Sequence, residues 1–417
     1  MMIYLIIIPL FLTILVCIFN GAKDGIYLFL PIFSNESTFI KYKNNKFIFL
    51  LPLIGEIVGA TFLGEIVLRK IQYGFINTYS LSFNQLYICA IVILTVTLII
   101  FFISSFLPFP ISLSHTMIGG LIGAGLFFKL DIFFKNLIST TIVWTITPIF
   151  SLISGLILYK VILNFSLKNK KVLKITKITA IIYILSLYIF FLLIFLSKSK
   201  LAFYILLSFF SLLFLLFINR ILFKKSQNIN YSSNENDNLK IEYQKTEHIF
   251  SDLSLLILPN VFISHGANDV ANSISLLSLL FLSLLKNKIY GNLNLYLLLI
   301  FSVILSLSII LNGSKKAEKI SKDICKIESS KIFTSYYSLA TSAILFSFFG
   351  YRISSVYTLT GSYIGIGYAR GFSIFNSRLL FTLLISWFIT FVISILLSYI
   401  LFYITKFSGV FLWLSKI

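Results

Sequence analysis

Charged residues are scarce in this chain. They account for 12% of its 417 residues, whereas hydrophobic residues account for 58% and the mean hydropathy is +0.99. So little charge cannot cover a soluble surface, and a soluble core cannot hold so much apolar material. The alternation of polar and apolar residues with a period of two that marks a membrane β-barrel is absent. The sequence therefore predicts an all-α protein that crosses a membrane many times.

The apolar runs set the expected number of crossings. A helix needs roughly 20 residues to cross a bilayer, and runs near that length lie at 2–19, 47–68, 86–107, 137–164, 178–196, 201–218, 293–312 and 379–405. Shorter or polar-interrupted stretches, which could span the membrane or re-enter it, lie at 26–33, 110–130, 253–263, 270–285, 334–349 and 354–370. We therefore expect about ten to twelve transmembrane segments.

Cysteine and histidine are also scarce. Cys17 and Cys89 lie in apolar runs, Cys325 lies near a charged loop, and no C-x-x-C spacing occurs, so neither a disulfide framework nor a cysteine-based metal site is indicated. Neither G-x-S-x-G nor H-E-x-x-H occurs, and no two histidines have the spacing of metal ligands. We expect neither an enzyme nor a cofactor. The N-terminal run has no basic flank or cleavage site, and we interpret it as a retained first helix.

Acidic residues are the scarcer of the two charge types, with 14 Asp and Glu against 34 Lys and Arg, for a net charge of +20. The basic residues lie in short loops between apolar runs, so we interpret them as topology determinants and expect no nucleic acid. The two main clusters consist of Lys168, Lys170, Lys171, Lys174 and Lys177, and of Arg220, Lys224, Lys225, Lys240 and Lys245. By the positive-inside rule, both clusters should be cytoplasmic.

A polar segment divides the chain. Residues 224–247 show no apolar periodicity, and we expect them to form a disordered cytoplasmic linker. The predicted organisation is a first transmembrane repeat at 1–165, connecting transmembrane helices at 166–223, this linker, and a second transmembrane repeat at 248–417.

Two motifs occur in the same order on both sides of the linker. FNGAKDGI (19–26) is followed by PISLSHTMIGGLIGAG (110–125), and SHGANDVANSI (264–274) is followed by RISSVYTLTGSYIGIG (352–367). Both later motifs contain G-x3-G-x-G, at Gly119, Gly123 and Gly125 and at Gly361, Gly365 and Gly367. These glycines indicate close approach between helices. A duplication explains the pattern, and we expect two inverted repeats.

The early motif of the second half predicts a polar stripe. In a helix, His265, Asn268, Asp269 and Asn272 fall at i, i+3, i+4 and i+7 and share one face, and Asn20, Lys23 and Asp24 occupy the first three of these offsets in the first half. A carboxylate at membrane depth costs at least about 2.5 kcal/mol, so it needs a partner or a watery cavity. A hydrogen-bonded clamp between helices is one interpretation and a ligand site is the other. The number of polar groups on one face favours the ligand site.

Segment lengths around the motifs predict broken or re-entrant helices. The apolar pieces at 253–263 and 274–285 are each too short to span, yet with the motif between them they are too long for one straight crossing. The later motifs are short and carry hydroxyls, at Ser112, Ser114 and Thr116 and at Ser354, Ser355 and Thr358. Helix N-termini there would offer N–H groups to an oxyanion, while Asp24 and Asp269 hold cations or a proton. This combination is typical of a cation-coupled anion symporter.

The motifs also resemble those of a known family. HGANDVANS together with PISLSHTMIGGLIGAG is similar to the signature pair of the inorganic phosphate transporter (PiT) family, which is close to G-A-N-D-V-A-N-A and P-V-S-T-T-H-x-x-x-G-x-x-x-G-x-G in each of two inverted repeats. EHIF at 247–250, EIVGATFLG at 56–64 and WTITP at 144–148 are supporting matches. The resemblance implies a secondary transporter in the plasma or inner membrane of a cell, moving phosphate, or in some members sulfate, with sodium or protons.

The resemblance implies a central site. The implied substrate-binding residues are Asp24, Asn268, Asp269, Asn272, Ser112, Ser114, Ser354 and Ser355, and the implied ligands of a sodium ion are Asp24 and Asp269. We add Lys23 and Glu56 to Asp24 and Asp269 as candidate cation-coupling residues. The expected partners are inorganic phosphate, sodium or a proton as coupling ion, and the lipid bilayer, and a homodimer stays open. The alternatives are a sulfate permease of the same family and a non-transporting sensor or scaffold on a decayed transporter fold.

Four departures from the family pattern lie in the less well preserved motifs. Lys23 and Tyr27 replace the two asparagines of the first early motif, and Arg352 and Tyr357 replace the proline and histidine of the second later motif. Either the site has been retuned or it has decayed. Lys23 has two interpretations: its ammonium replaces a bound cation beside Asp24, or its side chain extends to the membrane surface and leaves the site unaltered.

Overall fold

A computed structural model describes residues 6–44, 50–104, 111–167, 235–285, 292–322, 327–371 and 377–407, and nearly all of this backbone is helical. The first half contains α1 (Ile7–Phe33), α2 (Glu36–Asn44), α3 (Leu50–Phe62), α4 (Gly64–Tyr73), α5 (Phe83–Ser104), α6 (Leu113–Phe128) and α7 (Phe134–Val161). The second half contains α8 (Glu235–Leu284), α9 (Leu293–Ser308), α10 (Ser314–Ser321), α11 (Ser329–Phe348), α12 (Ser355–Ala369) and α13 (Ser377–Phe407). Wider π-helical turns extend α7 and join α9 to α10.

The prediction of an all-α, multi-pass membrane protein is confirmed. Within the described residues, six helices are long and apolar enough to cross a membrane, and a seventh span results if α3 and α4, which meet at an angle of 54°, are counted together. The predicted runs at 178–196 and 201–218 lie outside the described residues. The helices of the later motifs, α6 and α12, are 16 and 15 residues long, so each is shorter than a full crossing.

The prediction of a break at the second early motif is wrong. Helix α8 runs without interruption from Glu235 to Leu284 and carries SHGANDVANSI in its interior. At 1.5 Å per residue its 50 residues reach about 75 Å, well beyond the roughly 30 Å of bilayer hydrocarbon. A break was expected because the apolar pieces on each side of the motif are each too short to span and, with the motif, too long for one straight crossing. The helix is continuous instead, and side chains from neighbouring helices bind most of its polar stripe.

The expected disorder of the linker is also corrected over part of its length. Residues from Glu235 onward, which we assigned to the polar linker at 224–247, form the first turns of α8. Residues 224–234, and the predicted connecting helices from 168 to 223, lie outside the described residues. The cytoplasmic location of the linker remains a prediction.

This location predicts a labelling pattern. A single cysteine placed at Glu235, with Cys17, Cys89 and Cys325 replaced by serine, should resist a membrane-impermeant thiol reagent in intact cells and react fully after permeabilisation. The reason is that Lys224 and Lys225 precede this position and Lys240 and Lys245 follow it, and basic residues near membrane spans favour the cytoplasmic side. Labelling of intact cells would reverse the orientation of the whole chain.

The short helix of the later motif in each half packs against a long helix of the other half. Helix α6 of the first half packs on α13 of the second, and α12 of the second half packs on α7 of the first. The predicted close approaches occur at both places: a Cβ added at Gly119 would lie 2.7 Å from the Phe391 carbonyl of α13, and one at Gly361 would collide with the Pro148 carbonyl of α7. Small residues let helix backbones approach in this way in a membrane, where lipid removes any hydrophobic drive between helices.

The helices of the two early motifs are held by a second pair of contacts. Helix α1 packs closely on the turn that joins α9 to α10, where Gly25 faces Gly313. Helix α8 packs closely on α3, where Gly266 faces the backbone of Glu56. This second close approach brings the side chain of Glu56 to the level of the polar stripe on α8.

Candidate functional site

The four polar residues of the second early motif are all buried, with His265, Asn268 and Asn272 fully enclosed and Asp269 6% exposed. The stripe divides into two parts by its neighbours. His265 and Asp269 contact the first half through α1 and α3, whereas Asn268 and Asn272 contact the segments around the two later motifs. The stripe therefore joins the two kinds of motif at one place.

The first part is a cluster of three carboxylates around one imidazole. His265 Nδ1 lies 2.7 Å from Glu56 Oε1, and its Nε2 lies 3.5 Å from Asp24 Oδ2 and 3.4 Å from Asp269 Oδ2. Glu56 and His265 are fully buried. Buried charges of this kind are stabilised only when they are paired or neutralised. A positive charge, either a proton on the imidazole or a bound cation, is therefore needed between the two aspartates.

The first early motif contributes its own amide to this cluster. Asn20 Nδ2 donates to Asp269 Oδ1 over 3.2 Å, and Asn20 Oδ1 is buried without a hydrogen-bond partner among the described residues. Asp24, His265 and Asp269 each offer one ligand atom, and these atoms lie within 4.8 Å of one another. Hard cations prefer carboxylate and amide oxygens. Two carboxylates and an unused amide oxygen thus fit a cation such as sodium.

The second part of the stripe binds the later motifs. Asn268 donates to Ser347 Oγ over 2.6 Å and accepts from the backbone N–H of Ile353 over 3.3 Å. Asn272 donates to Ser114 Oγ over 2.9 Å and accepts from Arg352 Nη1 over 3.4 Å. These bonds place the N-terminal ends of α6 and α12 on the same side of α8.

Serine occupies the N-cap position of both short helices. Ser112 precedes α6 and Ser354 precedes α12, and neither hydroxyl caps its own helix. Ser112 and Ser355 are buried, Ser354 is half-buried, and Ser355 Oγ has no partner among the described residues. Each helix start therefore keeps N–H groups and hydroxyls that can bind an oxyanion.

The ammonium of Lys23 is not in direct contact with Asp24, although one of our two interpretations placed it there. Its ammonium donates to the backbone carbonyl of Ile111 and lies 5.1 Å from the ring centroid of Phe101. No ion pair between Lys23 and Asp24 occurs in the described structure. Ile111 directly precedes the N-cap Ser112, just as Ile353, which Asn268 binds, precedes the N-cap Ser354. The lysine thus anchors the later motif of its own half, as the asparagine does in the other half.

The two departures at Tyr27 and Tyr357 fall in one aromatic cluster. Tyr357 stacks on Trp387 with ring centroids 3.7 Å apart, and Tyr27 packs against this pair. His115, which holds the equivalent position of the first half, stacks on Trp144 at the same 3.7 Å. His115 and Tyr357 then meet edge to face at 5.9 Å. Ring stacking therefore repeats in the two halves although one histidine has become a tyrosine.

The model of the phosphate transporter family matches residues 44–398. The chain belongs to this family. A protein of Pyrococcus abyssi named as a phosphate permease is 25% identical over 355 residues, covering 81% of this chain and 84% of that protein. A Chlamydia trachomatis protein named in the same way is 25% identical over 386 residues, covering 81% and 85%. A solved structure of a sodium-dependent phosphate transporter shares the fold, with a TM-score of 0.82 and 22% identity over 97% of this chain and 99% of that one.

The family motifs did not predict every residue and contact of the site. Asn20 shares the first offset of the stripe with His265, so the comparison of the repeats contained a signal for its contact with Asp269. Ser347 lies outside every motif, and nothing in the sequence indicated its bond to Asn268. Arg352 was noted only as a replaced proline, yet its guanidinium is buried in the site region.

Proposed function

We propose that this member of the phosphate transporter family is a secondary active symporter that moves inorganic phosphate together with a cation. The observation that supports it best is the buried cluster of Asp24, Asp269 and His265, which joins the two repeats. A structural clamp would pair its charges fully. This cluster instead keeps two carboxylates facing one imidazole and an amide oxygen without a partner.

The proposed cation site lies between Asp24 and Asp269. A sodium ion there would use carboxylate oxygens and the free oxygen of Asn20, whereas a proton would reside on His265 and pair with both aspartates. The two occupants are alternatives, because either one supplies the positive charge that the carboxylates need. The structural neighbour is a sodium-dependent phosphate transporter, and this similarity favours sodium as the occupant.

The proposed anion site lies beside the cation, at the starts of α6 and α12. Ser112, Ser114, Ser354 and Ser355 supply hydroxyls, and the helix N-termini supply N–H groups and positive dipole ends. Asn268 and Asn272 hold these segments in place through hydrogen bonds. A tetrahedral oxyanion placed here would be attracted by the helix ends and by a cation held at the aspartates.

Uptake into proteoliposomes tests this function. The purified full chain should take up radiolabelled phosphate when a sodium or proton gradient is applied, and vesicles without protein or without a gradient should not accumulate it. Sulfate uptake without phosphate uptake would identify a sulfate permease. If neither anion enters under either gradient, the protein is a sensor or scaffold that has lost transport.

A further inference from the structure

Arg352 carries a buried guanidinium with no acidic partner. The residue is 1% exposed, and none of the described carboxylates lies within ion-pair distance of it. Its Nη1 reaches Asn272 Oδ1 only at 3.4 Å, and its Nη2 is buried without any hydrogen-bond partner among the described residues. Lys70 lies 3.2 Å above the ring of the adjacent Tyr351, so the neighbouring charge is also positive.

A charge in this position is costly unless something neutralises it. Desolvating an isolated guanidinium costs several kcal/mol even after relaxation. The ring of Phe75, 4.6 Å from Arg352 Cζ, returns about 2 kcal/mol at a desolvated site. One long bond to an amide oxygen adds little. Arginine stays protonated in proteins, so it cannot escape this cost by losing its proton. The guanidinium is therefore suited to bind an anion at this point.

The surroundings of Arg352 define which anion would fit. The residue precedes the N-cap Ser354 by two positions, and the unpartnered hydroxyl of the buried Ser355 begins α12. Asn272, which Arg352 contacts, also holds Ser114 at the start of α6. The groups that remain free are N–H and O–H donors. A guanidinium with free N–H groups binds the oxygens of a tetrahedral anion in pairs.

We infer that Arg352 is an anion-binding residue of this chain, which contacts the oxygens of the transported phosphate or sulfate at the start of α12. This inference rests on the proposed function for the identity of the anion. Because Arg352 replaces the proline of the motif, this contact is not part of the motif pattern. A fixed positive charge then attracts the anion even when no coupling cation is bound.

A purely structural role makes the opposite prediction for stability. If Arg352 served to hold Asn272 and cover Phe75, its removal would lower the melting temperature of the anion-free protein and leave the response to phosphate intact. If it is an unsatisfied anion ligand, Arg352→Gln should keep or raise the melting temperature without anion. The same substitution should remove most of the stabilisation that a fixed phosphate concentration confers, because this stabilisation grows with the logarithm of the ratio of ligand concentration to Kd.

The test measures equilibrium binding of radiolabelled phosphate and of sulfate to the purified full chain, together with melting temperature at rising anion concentration. Arg352→Gln should weaken binding on the order of 10- to 100-fold, the range for a lost charge-assisted hydrogen bond. Arg352→Lys should weaken it less, because it keeps the charge but not the planar fork. Arg370→Gln is the matched control, since Arg370 lies at the opposite end of α12 and pairs with Glu328 near the surface.

Each outcome separates this inference from the proposed function. Unchanged anion affinity in Arg352→Gln, with transport by the wild type, overturns the role of Arg352 and leaves the symporter intact. A wild type that binds anion but transports none rejects the symporter, and the Arg352 variants still decide the binding role. A wild type that binds neither anion rejects both. If Arg352→Gln does not fold, wild-type affinity in Arg352→Lys overturns the proposed oxygen pairing.

Discussion

Replacing Asp269 with asparagine should reduce phosphate uptake at least about 30-fold, because loss of one charge from a buried charge pair at a binding site costs about 2 to 5 kcal/mol of binding and each 1.4 kcal/mol is tenfold. Asp269 accepts a hydrogen bond from Asn20 over 3.2 Å and faces His265 Nε2 at 3.4 Å. An amide keeps the shape and can still accept from Asn20, yet it removes the charge that a cation or proton needs. Initial rates in proteoliposomes measure the effect.

The variant must be shown to fold. Asp269→Asn should elute as the wild type does on size exclusion and insert into membranes in the same amount. Asp131→Asn is a matched control, because this exposed aspartate lies in the loop between α6 and α7 and the described structure uses its backbone carbonyl rather than its side chain. Wild-type uptake with asparagine at position 269 would eliminate the proposed role of this carboxylate.

Local spacing predicted the elements of the site but not their partners. The helical offsets of His265, Asn268, Asp269 and Asn272 placed them on one helix, and the structure places all four in the interior. The pairing of His265 with Glu56 joins residues 209 positions apart. Such a contact depends on how α3 crosses α8 at Gly266, which no periodicity in either segment encodes.

The wrong expectation of a broken helix has a physical cause. Counting apolar residues treats each polar residue as an interruption, since an unsatisfied polar group in hydrocarbon costs several kcal/mol. In α8 most of the polar side-chain atoms have partners on neighbouring segments, such as Asn20, Ser114 and Ser347, and His265 Nε2 is without a hydrogen-bond partner among the described residues. A helix surrounded by such partners can stay continuous through a polar motif. Only the three-dimensional neighbours distinguish this case from a real break.

The two basic departures from the family pattern, Lys23 and Arg352, also depend on contacts that the sequence does not give. Sequence comparison identified Lys23 and Arg352 as basic residues in motif positions, but it could not give their contacts. The structure ties Lys23 to a backbone carbonyl, whereas Arg352 keeps an unpartnered nitrogen. Two replacements that look alike in sequence therefore have different consequences. Arg352 has a guanidinium nitrogen available to an anion, whereas the Lys23 ammonium binds a neutral carbonyl and its charge acts at a distance.

Lys23 is expected to lower the dependence of transport on sodium. Lys23 is next to Asp24 in the chain, but its ammonium is held at the Ile111 carbonyl, so its charge acts on the carboxylates through space. Unit charges that are not in contact still interact inside a protein, where the effective dielectric constant is about 20. A fixed positive charge near the carboxylates therefore partly replaces a bound cation. The relatives with asparagine at this position would have to bind that cation from solution.

The substitution Lys23→Asn should therefore restore a stronger dependence on sodium. Uptake measured against sodium concentration should rise more steeply than in the wild type, because a cation from solution must then supply the charge that the ammonium supplied. The substitution also removes the bond that Lys23 donates to the Ile111 carbonyl, because Asn268, its counterpart, accepts from the N–H of Ile353 instead. A second variant is therefore needed to separate loss of charge from loss of this anchor.

A charge-preserving variant decides whether this effect is electrostatic. Lys23→Arg keeps the positive charge and can donate to the same carbonyl, so it should retain the wild-type sodium dependence. An equal change in Lys23→Arg and Lys23→Asn would assign the effect to packing against Phe101 instead of to charge. Unchanged sodium dependence in Lys23→Asn, with unchanged affinity for the anion, would mean that the ammonium only anchors Ile111 and that coupling depends on Asp24, Asp269 and His265 alone.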